Sequence, residues 1–138
     1  MVDLSDSTEC ARAKQAIREG WVRASSTWLC NFDDGFYKKT GCAYLPTKYT
    51  RQRTKLGHIR IVYTEEWWVP PHVREIAKVA SDLALVYAEE EANQDLSYSA
   101  ICDYRLQLFL DLFDDDAKFA MAVMALEARQ NRENGSKR

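Results

Sequence analysis

Two consecutive prolines, Pro70-Pro71, limit what this chain can fold into more than any other feature. Proline has a fixed φ and no N–H, so a helix tolerates it only in its first turn. In the residues that follow, "HVREIAKVASDLALVY", Val73, Ile76, Ala77, Ala80, Leu83, Ala84 and Tyr87 recur at spacings of three and four. That spacing makes one apolar face of a helix. A helix over about 70–91 is therefore the firmest element, and it closes in the polar "EEEANQD". Its terminal glutamates oppose the helix dipole. A cation from another segment or subunit would offset them, as would plain solvation.

Upstream, a first helix is expected over about 8–29. Cys10, Ala13, Ile17, Trp21, Ala24 and Trp28 lie on one face, with Gly20 weakening its middle by about 1 kcal/mol relative to alanine. Between the two helices, residues 31–69 are mostly non-helical. Asp34-Gly35 and Thr40-Gly41 read as turns and Pro46 as a breaker. "LGHIRIVY" is rich in β-branched residues, with Ile59 and Ile61 on one face and His58, Arg60 and Val62 on the other. Its partner is expected to be "CAYLPTKY", giving an extended arm or β-hairpin with Arg51, Arg53 and Lys55 near its tip. A connection this long inside a compact domain is usually functional.

Downstream, a third helix starts near Ser97 or Ser99 and uses Ile101, Tyr104, Leu108 and Leu112, widened by Phe109 and Phe113. Asp114-Asp115-Asp116 then either caps a fourth helix, from Ala117 to about Gln130, or forms an acidic belt on one long helix. Two apolar stripes follow, Ala117, Ala120, Met121 and Met124 on one side and Phe119, Val123 and Leu126 on the other. A helix apolar on two faces is buried on two sides, which in so short a chain points to a neighbouring subunit. Residues 131–138 read as a basic tail. The fold class expected is mainly α, a small bundle of three to four helices with the arm inserted between helix 1 and helix 2, in a single domain over 1–138.

The charge distribution narrows the function. The 138 residues carry a formal net charge of −2, yet Gly35–Thr64 holds seven Lys or Arg and no acid. Local patches matter more than the total. Lys48, Arg51, Arg53, Lys55 and Arg60, interleaved with Tyr44, Tyr49 and Tyr63, suit a phosphate-tracking and base-stacking surface. They equally suit an acidic protein partner, or a solvated strand kept from aggregating. Of the adjacent Trp67 and Trp68, one is expected to anchor the arm against helix 1 and the other to be partly exposed, as an interface anchor.

Catalysis finds no support in motif or spacing: neither His58 nor His72 belongs to HExxH, HxH or a His–Cys pair, and no phosphate-cradling glycine motif occurs. No catalytic residue, cofactor or metal site is therefore expected. Cys10, Cys30, Cys42 and Cys102 form no CxxC pair and read as buried, inert free thiols. The N-terminus lacks the apolar core of a signal peptide, and no apolar run approaches the roughly 20 residues that span a bilayer. The expectation is a cytosolic protein, or part of an assembly built in a cytosol, with no membrane partner.

At "WWVPPHVREIAKVASDLALVYAEEE" the chain resembles the head-to-tail adaptor (connector) proteins of tailed bacteriophages. Tyr44-Leu45 and Lys48-Tyr49 echo that family's segment before the proline-started helix, and Val69–Leu85 echoes the helix itself. The resemblance implies a non-enzymatic virion protein of the neck, between capsid and tail, assembled in the host cytoplasm. It implies a homo-oligomeric ring, dodecameric in that family, joining the portal protein to a tail or nozzle protein and lining the DNA exit channel. Non-specific DNA contact there would fall to the arm. Trp67, Trp68, Phe119, Val123 and Leu126 would be interface anchors, and Arg129, Arg132, Lys137 and Arg138 would dock the portal. The alternative is a small phage or bacterial nucleic-acid-binding or regulatory protein that uses the basic arm.

Overall fold

A computed structural model describes residues 10–90 and 97–136. The chain divides into two compact units, Met1–Arg74 and Glu75–Arg138. The first holds α1 (Ala11–Arg18), β1 (Val22–Arg23), a 3₁₀ turn (Ala24–Ser26), α2 (Asp34–Lys39), β2 (Ala43–Arg53) and β3 (Ile59–Val69). Helix α3 (Pro71–Glu90) begins in the first unit and runs into the second, which also holds α4 (Tyr98–Asp114) and α5 (Asp116–Ser136).

The mainly α expectation is overturned. Five α-helices accompany a three-stranded antiparallel sheet of order β1-β3-β2 among the described residues, so the fold is α+β. The error begins at Gly20. Instead of weakening a helix over 8–29, it ends α1 at Arg18 with φ 89°, a left-handed value that glycine adopts without strain. The Gly20 N–H donates to the Ile17 carbonyl and the Trp21 N–H to the Ala16 carbonyl, the paired bonds of a Schellman stop. The chain is thereby freed to run extended at Val22–Arg23, which pairs with Val69 and Trp68. The hairpin thus gains a third strand.

A second helix was hidden inside the expected arm. Asp33 caps α2 by accepting from the Phe36 N–H at 2.8 Å. Gly41, at φ 84°, ends it by the same paired bonds, here to Lys38 and Tyr37. The Asp34-Gly35 and Thr40-Gly41 signals thus start and stop a helix where a loop was expected.

Strands β2 and β3 pair from Ala43↔Trp68 to Arg53↔Ile59, with an irregularity at Thr47 between Pro46 and Lys48. Thr47 is fully buried, and its hydroxyl donates to the Thr64 carbonyl at 3.1 Å, which satisfies the bulge. At the far end, the Gly57 N–H donates to the Thr54 carbonyl and the Thr54 N–H to the His58 carbonyl. Gly57 at φ 84° supplies the left-handed step this turn requires. The core of the first unit packs Ala13 and Ala16 of α1 on Leu45 and Trp68, with Trp21 and Ala43 at its edge. Trp68 is 2% exposed; burying a side chain of this size contributes roughly 3 kcal/mol.

Pro71 opens α3 as expected, and the Pro70 carbonyl accepts from the Arg74 N–H. Val73, Ile76, Ala77, Ala80 and Ala84 of the expected stripe are buried. In the second unit α4 and α5 are separate helices. Ser97 caps α4, and the Asp115 carboxylate accepts from the Ala117 and Lys118 N–H groups at 3.0 and 3.2 Å, so it caps α5. Helix α5 continues through Ser136, so residues 131–136 are helix and not a free tail. Phe109 and Leu112 are buried, and Tyr87 meets Tyr104 at 4.4 Å. No described helix is long and apolar enough to cross a membrane.

Candidate functional site

Cross-strand partners share a face of the sheet, so the β2–β3 register decides how the arm's charges are displayed. Arg51 opposes Ile61 and Arg53 opposes Ile59, on the face that also carries Tyr49 and Tyr63. Lys48 opposes Thr64 and Gln52 opposes Arg60, on the other face. Lys55 lies in the turn. All five cations are exposed, but the structure does not gather them on one surface. Two stand on each side of the ribbon and one at its end. Apolar side chains accompany them: Leu56 is 85% exposed and Ile59 66%.

The two tryptophans divide as their alternation requires. Trp68 faces the α1 core, so it anchors the hairpin within its own chain and is no anchor for another subunit. Its indole lies under the Arg23 guanidinium, 5.5 Å from the ring centroid, and Arg23 also pairs with Glu66 at 3.3 Å. Trp67, half-buried, turns to the opposite face and stacks on Tyr37 with centroids 4.9 Å apart and planes 21° apart. Tyr44, its direct cross-strand partner, leans on it at the same centroid distance.

These rings line a groove of about 270 Å³ whose other walls include Cys30, Glu65 and Glu66. Tyr37 is fixed by donating its hydroxyl to the Leu29 carbonyl, and burial pushes its pKa up. Cys42, beside Thr40, is likewise pushed up by burial, which keeps it a thiol. Cys30 is exposed, contrary to the expectation of four buried thiols. Glu65 enters no ion pair with the described residues. Sequence reasoning missed this groove, because its parts come from α2, β2 and β3 and only the register brings them together. The N-cap aspartate three residues before Phe36 was the available signal for α2.

On α5 the two apolar stripes behave differently. Phe119, Val123 and Leu126 are partly buried, whereas Met121 and Met124 are 69% and 67% exposed. Arg129 is engaged within its own unit. It bonds Glu89 at 2.7 Å and lies 3.6 Å from Glu90 and 3.5 Å from Glu133. It is thus the cation that offsets the acidic end of α3, and its guanidinium is committed to those contacts. Arg132 is exposed, while Lys137 and Arg138 lie outside the described residues. Among the described residues no three His, Cys, Asp or Glu are placed to hold a metal ion. No family model, no curated protein and no solved structure matches the chain.

Proposed function

We propose that this protein is a non-enzymatic assembly subunit, of the kind that forms a head-to-tail adaptor ring between portal and tail of a phage virion. The observation that carries this reading is the exposure of Leu56, Ile59, Met121 and Met124 on a chain with a well-packed interior. Large apolar side chains grouped on a projecting hairpin and along one helix face are what a subunit shows before its neighbours cover it. In the assembled neck the hairpin and α5 contact other subunits, and Arg132 with the C-terminal residues beyond it meets the portal.

Light scattering and electron microscopy of the purified chain, alone and with isolated portal, test the proposal. The expected result is a closed ring, formed alone or on the portal, with weaker docking after removal of residues 131–138, which spares Arg129. A chain that stays monomeric beside the portal and does not bind it defeats the reading.

One observation favours nucleic acid as a second reading: Arg51 and Arg53 share a face with Tyr63 on an exposed ribbon. That reading expects affinity for DNA that falls steeply with salt and disappears when Arg51, Arg53 and Lys55 become alanine. No binding at low salt removes it.

A further inference from the structure

The groove at the base of the hairpin and the tip of the same hairpin are chemical complements. The groove offers the rings of Tyr37, Tyr44 and Trp67 with the carboxylate of Glu65, which alternates onto the same face of β3 as Trp67. Glu66 is already engaged by Arg23 at 3.3 Å, whereas Glu65 is exposed and in no ion pair with the described residues. Tyr44 is half-exposed, so part of its ring is open to a guest. Aromatic faces beside an unneutralised carboxylate attract cations, and a planar guanidinium satisfies both at once.

The tip carries such groups. Arg51 and Arg53 lie on one face, each opposite an isoleucine, and Lys55-Leu56 forms the turn. Cations interleaved with exposed apolar side chains fit an aromatic and acidic groove better than they fit a phosphate backbone, which offers the isoleucines nothing. The tip cannot reach the groove of its own chain. Six to eight residues of β3 separate Glu65 and Trp67 from Ile59, which at a strand rise of about 3.3 Å is roughly 20–26 Å. The paired ladder between them keeps the ribbon extended.

We infer that the occupant of the groove is the hairpin tip of a second copy of this chain, with Arg53 directed at Glu65 and Leu56 and Ile59 set against the aromatic rings. The contact joins two different patches, so it is heterologous and propagates from copy to copy, closing into a ring when the rotation permits. The inference rests on the assembly reading and supplies a contact for it.

Charge exchange in the full-length chain tests the contact. R53E alone and E65R alone are each expected to weaken self-association about tenfold or more by sedimentation, since each opposes like charges at the contact. Mixing the two variants is expected to restore it, because either variant's tip then meets the other's groove with opposite charge. Circular dichroism of each variant checks that the exposed substitutions leave the fold intact. Independently, an L56C chain treated with a short bismaleimide is expected to form covalent dimers and higher species, lost when Cys30 is replaced by serine. Association that ignores both substitutions, a mixture that fails to recover, or crosslinks that persist without Cys30 overturns the inference. So does R53E weakening DNA binding while self-association stays unchanged, or a chain that neither associates nor crosslinks. Rings that bind portal but ignore the charge changes defeat the inference and leave the adaptor reading standing. Tip-in-groove pairing without rings or portal binding does the reverse.

Discussion

The two ends of the β2–β3 hairpin share one hydrogen-bonded ladder and differ in almost everything else. At the base, Leu45, Trp68 and Val69 are buried, Thr47 is satisfied at its bulge, and rings pack on the outer face. At the tip, isoleucines and a leucine stand exposed among arginines. Backbone pairing therefore does not decide what a strand residue contributes; what lies on its face does. The base contributes to stability, and the tip keeps its apolar area for use elsewhere. The alternation of tryptophans marks the division: Trp68 belongs wholly to the core, while Trp67 already faces the groove.

Substitutions at the two ends sharpen this contrast. Trp68→Ala should cost the most, about 3–5 kcal/mol in urea unfolding, because it opens a cavity under α1. Gly20→Ala should cost about 1–2 kcal/mol, since a side chain at φ 89° is strained in the left-handed region, while the new methyl would meet the Pro71 ring only at ordinary contact distance. Tyr37→Phe should cost about 1 kcal/mol by leaving the Leu29 carbonyl without its hydroxyl donor. Leu56→Ser at the tip should change the unfolding free energy of the isolated chain by less than about 0.5 kcal/mol. A loss of several kcal/mol at Leu56, or none at Trp68, would break the comparison between the two ends.

Much of the architecture was legible because it follows from short-range chemistry. Pro70-Pro71 and the apolar stripe after them located α3, and the aspartates after Phe113 marked where α4 either ends or continues, a choice that the Asp115 cap decides. The hairpin followed from the alternation through "HIRIVY" and the charges near its turn. What escaped notice depended on where segments meet. A face of apolar residues from Cys10 to Trp28 reads as helix when periodicity alone is counted, although Gly20 divides it. The glutamates at the end of α3 called for a cation or for solvent, and only the fold shows that Arg129, far along the chain, closes on them.

The candidate site shows the same limit more sharply. Sequence named all five arm cations and divided the two tryptophans between core and surface, yet it treated the cations as one patch. Strand alternation is a local rule, so it correctly places Ile59 and Ile61 on one side of β3. Which arginine of β2 lies beside each is a matter of register, set by the bulge at Thr47 and the turn at Gly57. Register likewise brings Tyr44 to Trp67 and makes a groove with Tyr37 of α2.

Taken alone, the sequence determined that α3 begins at the proline pair, that a basic arm precedes it, and that α5 has apolar residues on two faces. Those outcomes need only the geometry of proline, the helical period and the charge of a few side chains. Only the tertiary structure decided that the arm joins a three-stranded sheet, that Trp68 is core, and that three aromatic rings and the Glu65 carboxylate converge on one groove. Pairing and burial are properties of segments distant in the chain, and no local pattern encodes which of them will meet.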